Sequence, residues 1–528
     1  MKAAHLAQRR VGQAPEQRVG RRLAEQVRER GTSPRVLVLT LRDWAVHVEW
    51  ETVIAQALRL RGADVSFITC GGGLEICDRV NTHEGPPVPC ATCSRYVHDS
   101  VAAHGFSFDT IHDAWAVADD GGDWPELDVL SLGELQEVVD PETGLALGRL
   151  VRVPVSWFLM GARLDLDPLG PLTYRRFLRS ARRVARALTH LLQDAKPDVV
   201  LLLNGLFFFE AIAWELCDRL GIGVVTYERG FIKETLLFRR GAPACLGDVS
   251  HLWPAWRSVP LTADEQQRLD GYLLDRRFGR QTIDRYWKDP SFAAPARSRD
   301  RRLVSLFTNL TWDSAVIGQE VAFPSIQDWL AAAVEAFAAR PQHDLVVRIH
   351  PAEVKLPGKQ TREPLGAYLH ERFGRLPANV RVIEADDPQS SYPLMEGSDL
   401  GLVFTSTTGL ELALHGTPVI VAGRTHYRDK GFTIDVSSPE EFEAALDRAL
   451  ADPASVAPDA EMARRYAFLF FFRAPVASPG VVEHVPGLAR ITFTDADRLR
   501  PGRDADLDRV TALILDGRDQ MEETSTTQ

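Results

Sequence analysis

Four stretches of the chain gather residue types that can hold a phosphate or move a proton. Thr405-Ser406-Thr407-Thr408-Gly409-Leu410-Glu411 puts a run of hydroxyls and a glycine at the opening of a helix-forming segment. The free N–H groups and dipole of a helix start favour an anion, and hydroxyls add donors. A plain N-cap explains one such hydroxyl but not the run. Glu411, in the first turn, is placed to bond ribose hydroxyls. Arg348-Ile349-His350-Pro351-Ala352-Glu353 presents an imidazole before a proline that stiffens the turn. Such a ring can donate to a phosphate; a satisfied turn histidine is the plainer alternative. Thr308-Asn309-Leu310-Thr311-Trp312-Asp313 offers Asn309 and Asp313 to a base or phosphate, or is a loop folded on Trp312. Tyr227-Glu228-Arg229-Gly230-Phe231 offers Glu228 as a general base for an arriving hydroxyl, or as an ion-pair partner of Arg229.

A fifth group is sulfur. Cys70, Cys77, Cys90 and Cys93 have the spacing C-x6-C-x12-C-x2-C within a Gly/Pro-rich stretch with little apolar content. Four thiolates suit structural Zn²⁺, with His83 as a substitute ligand; an iron–sulfur cluster and unligated thiols are the alternatives. Cys217 and Cys245 are isolated. Gly71-Gly72-Gly73 follows a strand but lacks the dinucleotide spacing. Three Asp-x-Asp strings, at Asp165, Asp495 and Asp504, read as solvated loops. Trp44, His47 and Glu49 follow the first strand and are candidates for an acceptor side.

The elements that must position these groups alternate. Strand Arg35–Thr40, a helix over Val48–Arg61 and strand Asp64–Thr69 make a β–α–β start, the opening of a doubly wound sheet. Residues 71–170 read as insertions. A long helix, basic on one face, spans Leu172–Asp194; strand Asp198–Asn204, helix Phe209–Leu220 and strand Gly223–Glu228 follow. The pattern restarts with strands Leu303–Thr308, Leu345–His350, Val380–Glu384, Leu400–Phe404 and Pro418–Ala422, with helices between them. Parallel sheets covered on both faces are expected. The expected organisation is a tail or solvated helix at 1–32, an N-terminal Rossmann-like acceptor domain at 33–250 with the Cys-containing insertion near 70–170, and a connector at 251–302. A second Rossmann-like domain at 303–450 and C-terminal helices with a disordered tail at 451–528 complete it. The fold class is α/β, two Rossmann-like domains facing a cleft. The four stretches that open this reading each lie just after a strand, where such sheets bind ligands.

Composition narrows the class. With 528 residues, 45% apolar and 25% charged, the chain is an ordinary globular one of two or three domains. Lys and Arg total 61 against 72 acidic residues, a formal charge of −11, which argues against a nucleic-acid protein with a global positive field. No apolar run reaches the ~18–20 residues of a membrane helix, and Met1–Gly31 has no secretory core. A reducing cytoplasm is the expected location, with docking of the first segment on an anionic membrane face as the variant.

The strand ends together resemble the bacterial capsule-polysaccharide biosynthesis family, which includes Kdo transferases, and more remotely the polysialyltransferases. The resemblance rests on Tyr227-Glu228-Arg229-Gly230-Phe231, then His350-Pro351-Ala352-Glu353, then Ser406-Thr407-Thr408-Gly409-Leu410-Glu411, with Gly416-Thr417-Pro418-Val419-Ile420 behind. It spans about Asp198–Leu450. It implies a GT-B glycosyltransferase that takes a nucleotide-activated sugar, a CMP-sugar in that family, to a hydroxyl of a polysaccharide, glycan or glycolipid. It implies Glu228 as base, His350 on the donor phosphate, and Ser406, Thr407 and the Gly409 amide on the same phosphate, with Glu411 on the ribose. No catalytic metal is expected. Arg229 stands where the family often has a second acid, so Glu228 takes the role, the base lies elsewhere, or the chemistry is altered. A nucleotide-sugar epimerase, a glycerophosphotransferase and a non-catalytic assembly scaffold are the alternatives.

Overall fold

The computed structural model describes residues 2–27, 31–85, 87–117, 124–280, 286–293 and 300–522. The chain divides into two compact units. The first comprises residues up to 158, 164–245 and 475–521; the second comprises 159–163 and 246–474.

The first unit opens with β1 (Arg35–Thr40), β2 (Asp64–Thr69), β3 (Phe108–Thr110), β4 (Val199–Leu203), β5 (Gly223–Arg229) and β6 (Thr235–Arg240). The second holds β7 (Leu303–Phe307), β8 (Asp344–Arg348), β9 (Val380–Ile383), β10 (Leu400–Val403), β11 (Val419–Val421) and β12 (Ile434–Asp435). The chain then returns to the first unit with β13 (Val476–Ala477), β14 (Val481–Val485) and β15 (Leu488–Ile491).

The first sheet runs β13-β6-β5-β4-β1-β2-β3 and the second β12-β11-β10-β7-β8-β9. In both, the first strand of the unit sits in the middle, with its successors on one side and the fourth strand on the other. β1 pairs in parallel with β2 and β4, and β7 in parallel with β8 and β10. This is the strand order of a Rossmann sheet, so the expected α/β class with two Rossmann-like domains is borne out. In these two sheets β6 alone is reversed, antiparallel to both its neighbours β5 and β13 near one edge of the first sheet. Central strands such as Val199–Leu203 and Leu303–Phe307 are buried along their whole length, as near-continuous aliphatic runs demand when helices cover both faces.

The domain ends differ from expectation. Residues 475–521 are no separate helical tail. Val476, Val481, Ala489, Ile491, Leu507, Val510 and Ile514 share one core with β1, β4 and helix Ala45–Arg59. Trp50 fixes the return by donating from Nε1 to Ser478 Oγ at 2.7 Å. The solvated segment expected at 1–32 is instead two helices, Lys2–Arg9 and Pro15–Gln26, docked through buried Leu23, Val27 and Glu16. Glu16 takes His5 at 2.7 Å and Arg9 at 3.1 Å, so its charge enters the core with partners. Within the insertion, Asp128 and Asp140 face Arg179 and Arg182 of helix Gly170–Ala195 and cover part of its basic face. Among the Asp-x-Asp strings, Asp504 caps helix Ala505–Asp516 and Asp167 is buried, receiving the Leu169 N–H at 2.9 Å. The polar end at 523–528 lies outside the described residues. Among the described residues, no helix is long and apolar enough to cross a membrane.

Candidate functional site

Open α/β sheets bind ligands beyond the carboxyl ends of the strands where the strand order reverses. That point lies between β7 and β10 in the second unit and between β1 and β4 in the first.

In the second unit, Asn309 after β7 accepts the Thr405 N–H after β10 at 3.4 Å, which ties the two sides of the crevice together. Beside it, Thr405 Oγ1 and Thr311 Oγ1 are buried without a hydrogen-bond partner. A buried hydroxyl left unmade costs roughly 1–3 kcal/mol, and a ligand oxygen would recover it. Ser406 Oγ donates to Thr408 Oγ1 at 3.0 Å and accepts the Thr408 N–H at 3.3 Å, a local turn that orders the loop.

His350, after β8, is fixed at both ends. Its N–H donates to Thr308 Oγ1 at 3.0 Å, and its Nδ1 accepts the Ala352 N–H at 3.1 Å. A ring that accepts at Nδ1 carries its proton on Nε2. Burial, followed by the charge of Arg348, lowers its pKa to about 4, so the imidazole is neutral at pH 7. The outcome is a positioned, uncharged N–H donor.

Several predicted donor ligands do something else. Arg348 is buried and donates to the carbonyls of Glu384 at 2.6 Å, Asp387 at 3.1 Å and Gln389 at 3.0 Å, pinning the loop after β9. Glu353 is fully buried and receives the Leu365 N–H at 3.3 Å, capping helix Leu365–Phe373; burial pushes its pKa up to about 8. The Gly409 amide donates to Ser406 O at 3.1 Å. Its glycine serves packing, because a Cβ there would sit 2.2 Å from Tyr427 Oη. Glu411 is occupied by Arg276 at 2.6 Å and the Tyr392 hydroxyl at 2.7 Å. Asp313 receives the Ala315 N–H at 3.0 Å and closes a turn, while Trp312 folds inward onto Thr361 at 2.8 Å. The structure therefore brings Asn309, His350, Ser406, Thr407 and Thr408 to strand ends around one crevice. It assigns Arg348, Glu353, Gly409 and Glu411 to its framework. A cavity of about 290 Å³ includes Glu411, Tyr392 and Arg277 in its lining, but neither His350 nor Ser406.

In the first unit, Glu228 at the end of β5 receives Asn204 Nδ2 on Oε2 at 2.7 Å and the Arg229 N–H on Oε1 at 2.9 Å. Asn204 adopts φ 61°, a left-handed backbone that Asn tolerates and that turns its amide toward Glu228. The Arg229 guanidinium pairs with Glu483 at 3.0 Å.

The strongest charges here were not read from the sequence. Arg42 is buried between Asp78 at 2.8 Å and Glu210 at 2.6 Å. Burial opposes its charge, yet the two carboxylates hold its pKa above the ordinary value. Asp78 also accepts the Phe208 N–H at 2.9 Å at the start of helix Phe208–Leu220. Glu51 joins Thr40 and Tyr227, and Glu49 faces His104 at 3.1 Å. The available signal was acids set inside apolar helices, as in Phe208-Phe209-Glu210-Ala211-Ile212.

The cysteines are not drawn into a ligand set. Among the described residues, no group of three or more His, Cys, Asp and Glu side chains is arranged to hold a metal. Cys70, Cys77, Cys90, Cys93 and Cys217 are free of disulfides. Burial raises the Cys70 thiol to about 11 and Cys93 to about 12, and holds Cys77 well up, so these groups are protonated thiols. Among the described residues, this arrangement gives the zinc expectation no support.

Residues 265–461 match the family described as capsule polysaccharide biosynthesis protein. Over that stretch the family resemblance is borne out. The match contains His350, Ser406 and Glu411; Glu228 lies outside it. No curated protein matches the chain. Among solved structures, the chain is similar to the Thermosulfurimonas dismutans KpsC β-Kdo 2,4 transferase, at 14% identity, 57% of this chain, 87% of that chain and TM-score 0.36. It is also similar to the putative UDP-N-acetylglucosamine 2-epimerase of Listeria monocytogenes, at 11% identity, 83% and 94% coverage and TM-score 0.26. A third is the Streptomyces sp. SF2575 glycosyltransferase SsfS6, at 13% identity, 83% and 96% coverage and TM-score 0.24.

Proposed function

We propose that the chain is a glycosyltransferase of capsule or related surface-polysaccharide synthesis. The reading assigns a nucleotide-activated sugar, CMP-sugars first, to the second unit and the hydroxyl of a glycan or glycolipid acceptor to the first. The observation that carries it is the coincidence of the family match with the neutral donor set at the β7/β10 crevice: His350 Nε2–H, Thr405, Ser406 and Thr408.

Glycosyl transfer breaks the bond between the anomeric carbon and the phosphate and forms one to the acceptor oxygen. The departing phosphate gains charge, and fixed N–H and O–H donors stabilise it without reorganising. In this reading His350 donates to that phosphate, and Glu228, oriented by Asn204, takes the acceptor's proton. Such chemistry calls on side chains and backbone rather than a catalytic metal. The work is proposed to occur in the cytoplasm, with peripheral contact at a membrane where the acceptor is a glycolipid.

The test is nucleotide release from CMP-, UDP- and GDP-activated sugars, with and without an oligosaccharide acceptor pool. Acceptor-stimulated release that falls at least a hundredfold in Glu228→Gln and His350→Ala is the expected result. A rearranged sugar with no nucleotide released would move the reading to the epimerase. Full activity in Glu228→Gln would place the base elsewhere.

A further inference from the structure

The first unit's crevice holds a hydrogen-bonded row that the reading above does not use. His47 and Glu51 lie one turn apart on helix Ala45–Arg59, on the face toward β5. Tyr227 Oη stands between them, 2.6 Å from one Glu51 oxygen and 3.3 Å from His47 Nδ1. Thr40 Oγ1 donates to the other Glu51 oxygen at 2.5 Å. The outer end of the row is His47, of which 9% is exposed. It sits among Trp44 and Trp50, with ring centroids 6.0 and 5.0 Å away, and Trp44 packs on Phe207 from the far side of the reversal point. Aromatic walls with a few fixed polar groups form the common plan of a small-ligand recess.

We propose that His47 meets the acceptor sugar in this crevice, and that Glu51, acting through Tyr227, sets whether the outer ring nitrogen donates or accepts a hydrogen bond. The first half rests on the transferase reading; the relay does not.

The proton count gives the mechanism. A neutral imidazole has one N–H and one lone pair. When Glu51 is ionised it takes the Tyr227 O–H, the Tyr227 oxygen accepts from His47 Nδ1–H, and Nε2 is left with its lone pair. When Glu51 is protonated its O–H turns to Tyr227, the Tyr227 O–H turns to Nδ1, and Nε2 carries the hydrogen. One proton on a buried carboxyl thus reverses what the outer end offers a hydroxyl. The neighbours keep the ring neutral: burial first, then Arg229 and Arg42, hold His47 well below its ordinary pKa. Burial pushes Glu51 up to about 8, against its bonds to Thr40 and Tyr227; Glu210 raises it further and Arg42 opposes. Glu51 is the positioning residue and His47 the one that touches substrate.

The experiment is ¹⁵N NMR of histidine-labelled full-length protein between pH 6 and 9.5, with the His47 signals assigned by their loss in His47→Gln. In the wild type the His47 nitrogens should exchange tautomer with a midpoint near pH 8, without passing through imidazolium. Glu51→Gln, which keeps the shape of the side chain, should hold one tautomer at every pH. Tyr227→Phe should uncouple the ring from Glu51. Ordinary protonation of His47 near its usual pKa, or a midpoint unchanged in Glu51→Gln, overturns the relay. Addition of an oligosaccharide pool released by mild acid from the host's surface polysaccharide should shift the His47 nitrogens. No shift overturns the acceptor role while leaving the relay to stand on its own titration. Nucleotide binding, read separately, reports on the transferase reading.

Discussion

The two crevices occupy the same place in the strand order and are furnished in opposite ways. At β7, β8 and β10 the groups are neutral: hydroxyls of Thr405 and Ser406 and the imidazole of His350. The carboxylates nearby, Glu353 and Glu411, are buried in caps and ion pairs. At β1 and β4 the groups are acids and their partners: Arg42 with Asp78 and Glu210, Glu228 on Asn204, and Glu51, held protonated by burial at neutral pH, on Tyr227. A leaving phosphate is stabilised by fixed donors with no acid facing it, and a nucleophilic hydroxyl by a carboxylate or imidazole that takes its proton. The contrast is the one that the proposed donor and acceptor roles call for.

Removing a charge should therefore hurt the first unit most. Arg42→Met leaves Asp78 and Glu210 buried without their cation, and should cost about 3–5 kcal/mol in urea unfolding. Arg276→Met strands only Glu411, which keeps the Tyr392 hydroxyl, so its cost should be smaller. Equal costs would erase the contrast.

Steric change should hurt the second unit. Gly409→Ala sets a methyl against Tyr427, whose hydroxyl donates to Ser406 O at 2.5 Å. A loss of about 1–3 kcal/mol is expected from overpacking, with the Ser406 loop displaced and nucleotide binding weakened.

The pH dependence should have opposite signs. Glu51 rises from 4.5 to about 8 on folding, so between those values the folded state holds a proton that the unfolded state has lost. Stability should fall as pH rises through that window, by up to about 1.4 kcal/mol per pH unit. Glu51→Gln should remove that contribution. His350 drops from 6.5 to about 4, so the unfolded state binds the extra proton and stability should rise across that window. His350→Ala should flatten the acid limb alone. Urea midpoints measured at each pH read both slopes. The smallest effect belongs to the half-exposed Arg229–Glu483 pair: Glu483→Gln should cost under about 1 kcal/mol, less at high salt.

Periodicity in the sequence revealed the central strands, because Val199–Leu203 and Leu303–Phe307 are uninterrupted aliphatic runs. It also led to His350 and the Ser406 loop, because ligand-facing groups follow strands. Short edges stayed hidden: Phe108–Thr110 and Val476–Ala477 are too brief to show a period. The return of 475–521 was equally hidden, since its apolar residues meet partners more than 400 positions away, as Trp50 meets Ser478. Nor did residue type tell a framework acid from a functional one. Glu353 and Glu411 look like ligands until burial and partners are known, and Arg348 spends its donors on three carbonyls.

The most direct test of the donor half is a thermal-shift panel of CMP, CDP, UMP, UDP and GDP against wild type and His350→Ala. A nucleotide at about 100 times its dissociation constant stabilises by ~2.7 kcal/mol, which a melting curve resolves. The account predicts that CMP raises the wild-type melting temperature and that His350→Ala loses the rise. No shift with any nucleotide, or a shift kept in full by His350→Ala, would contradict it.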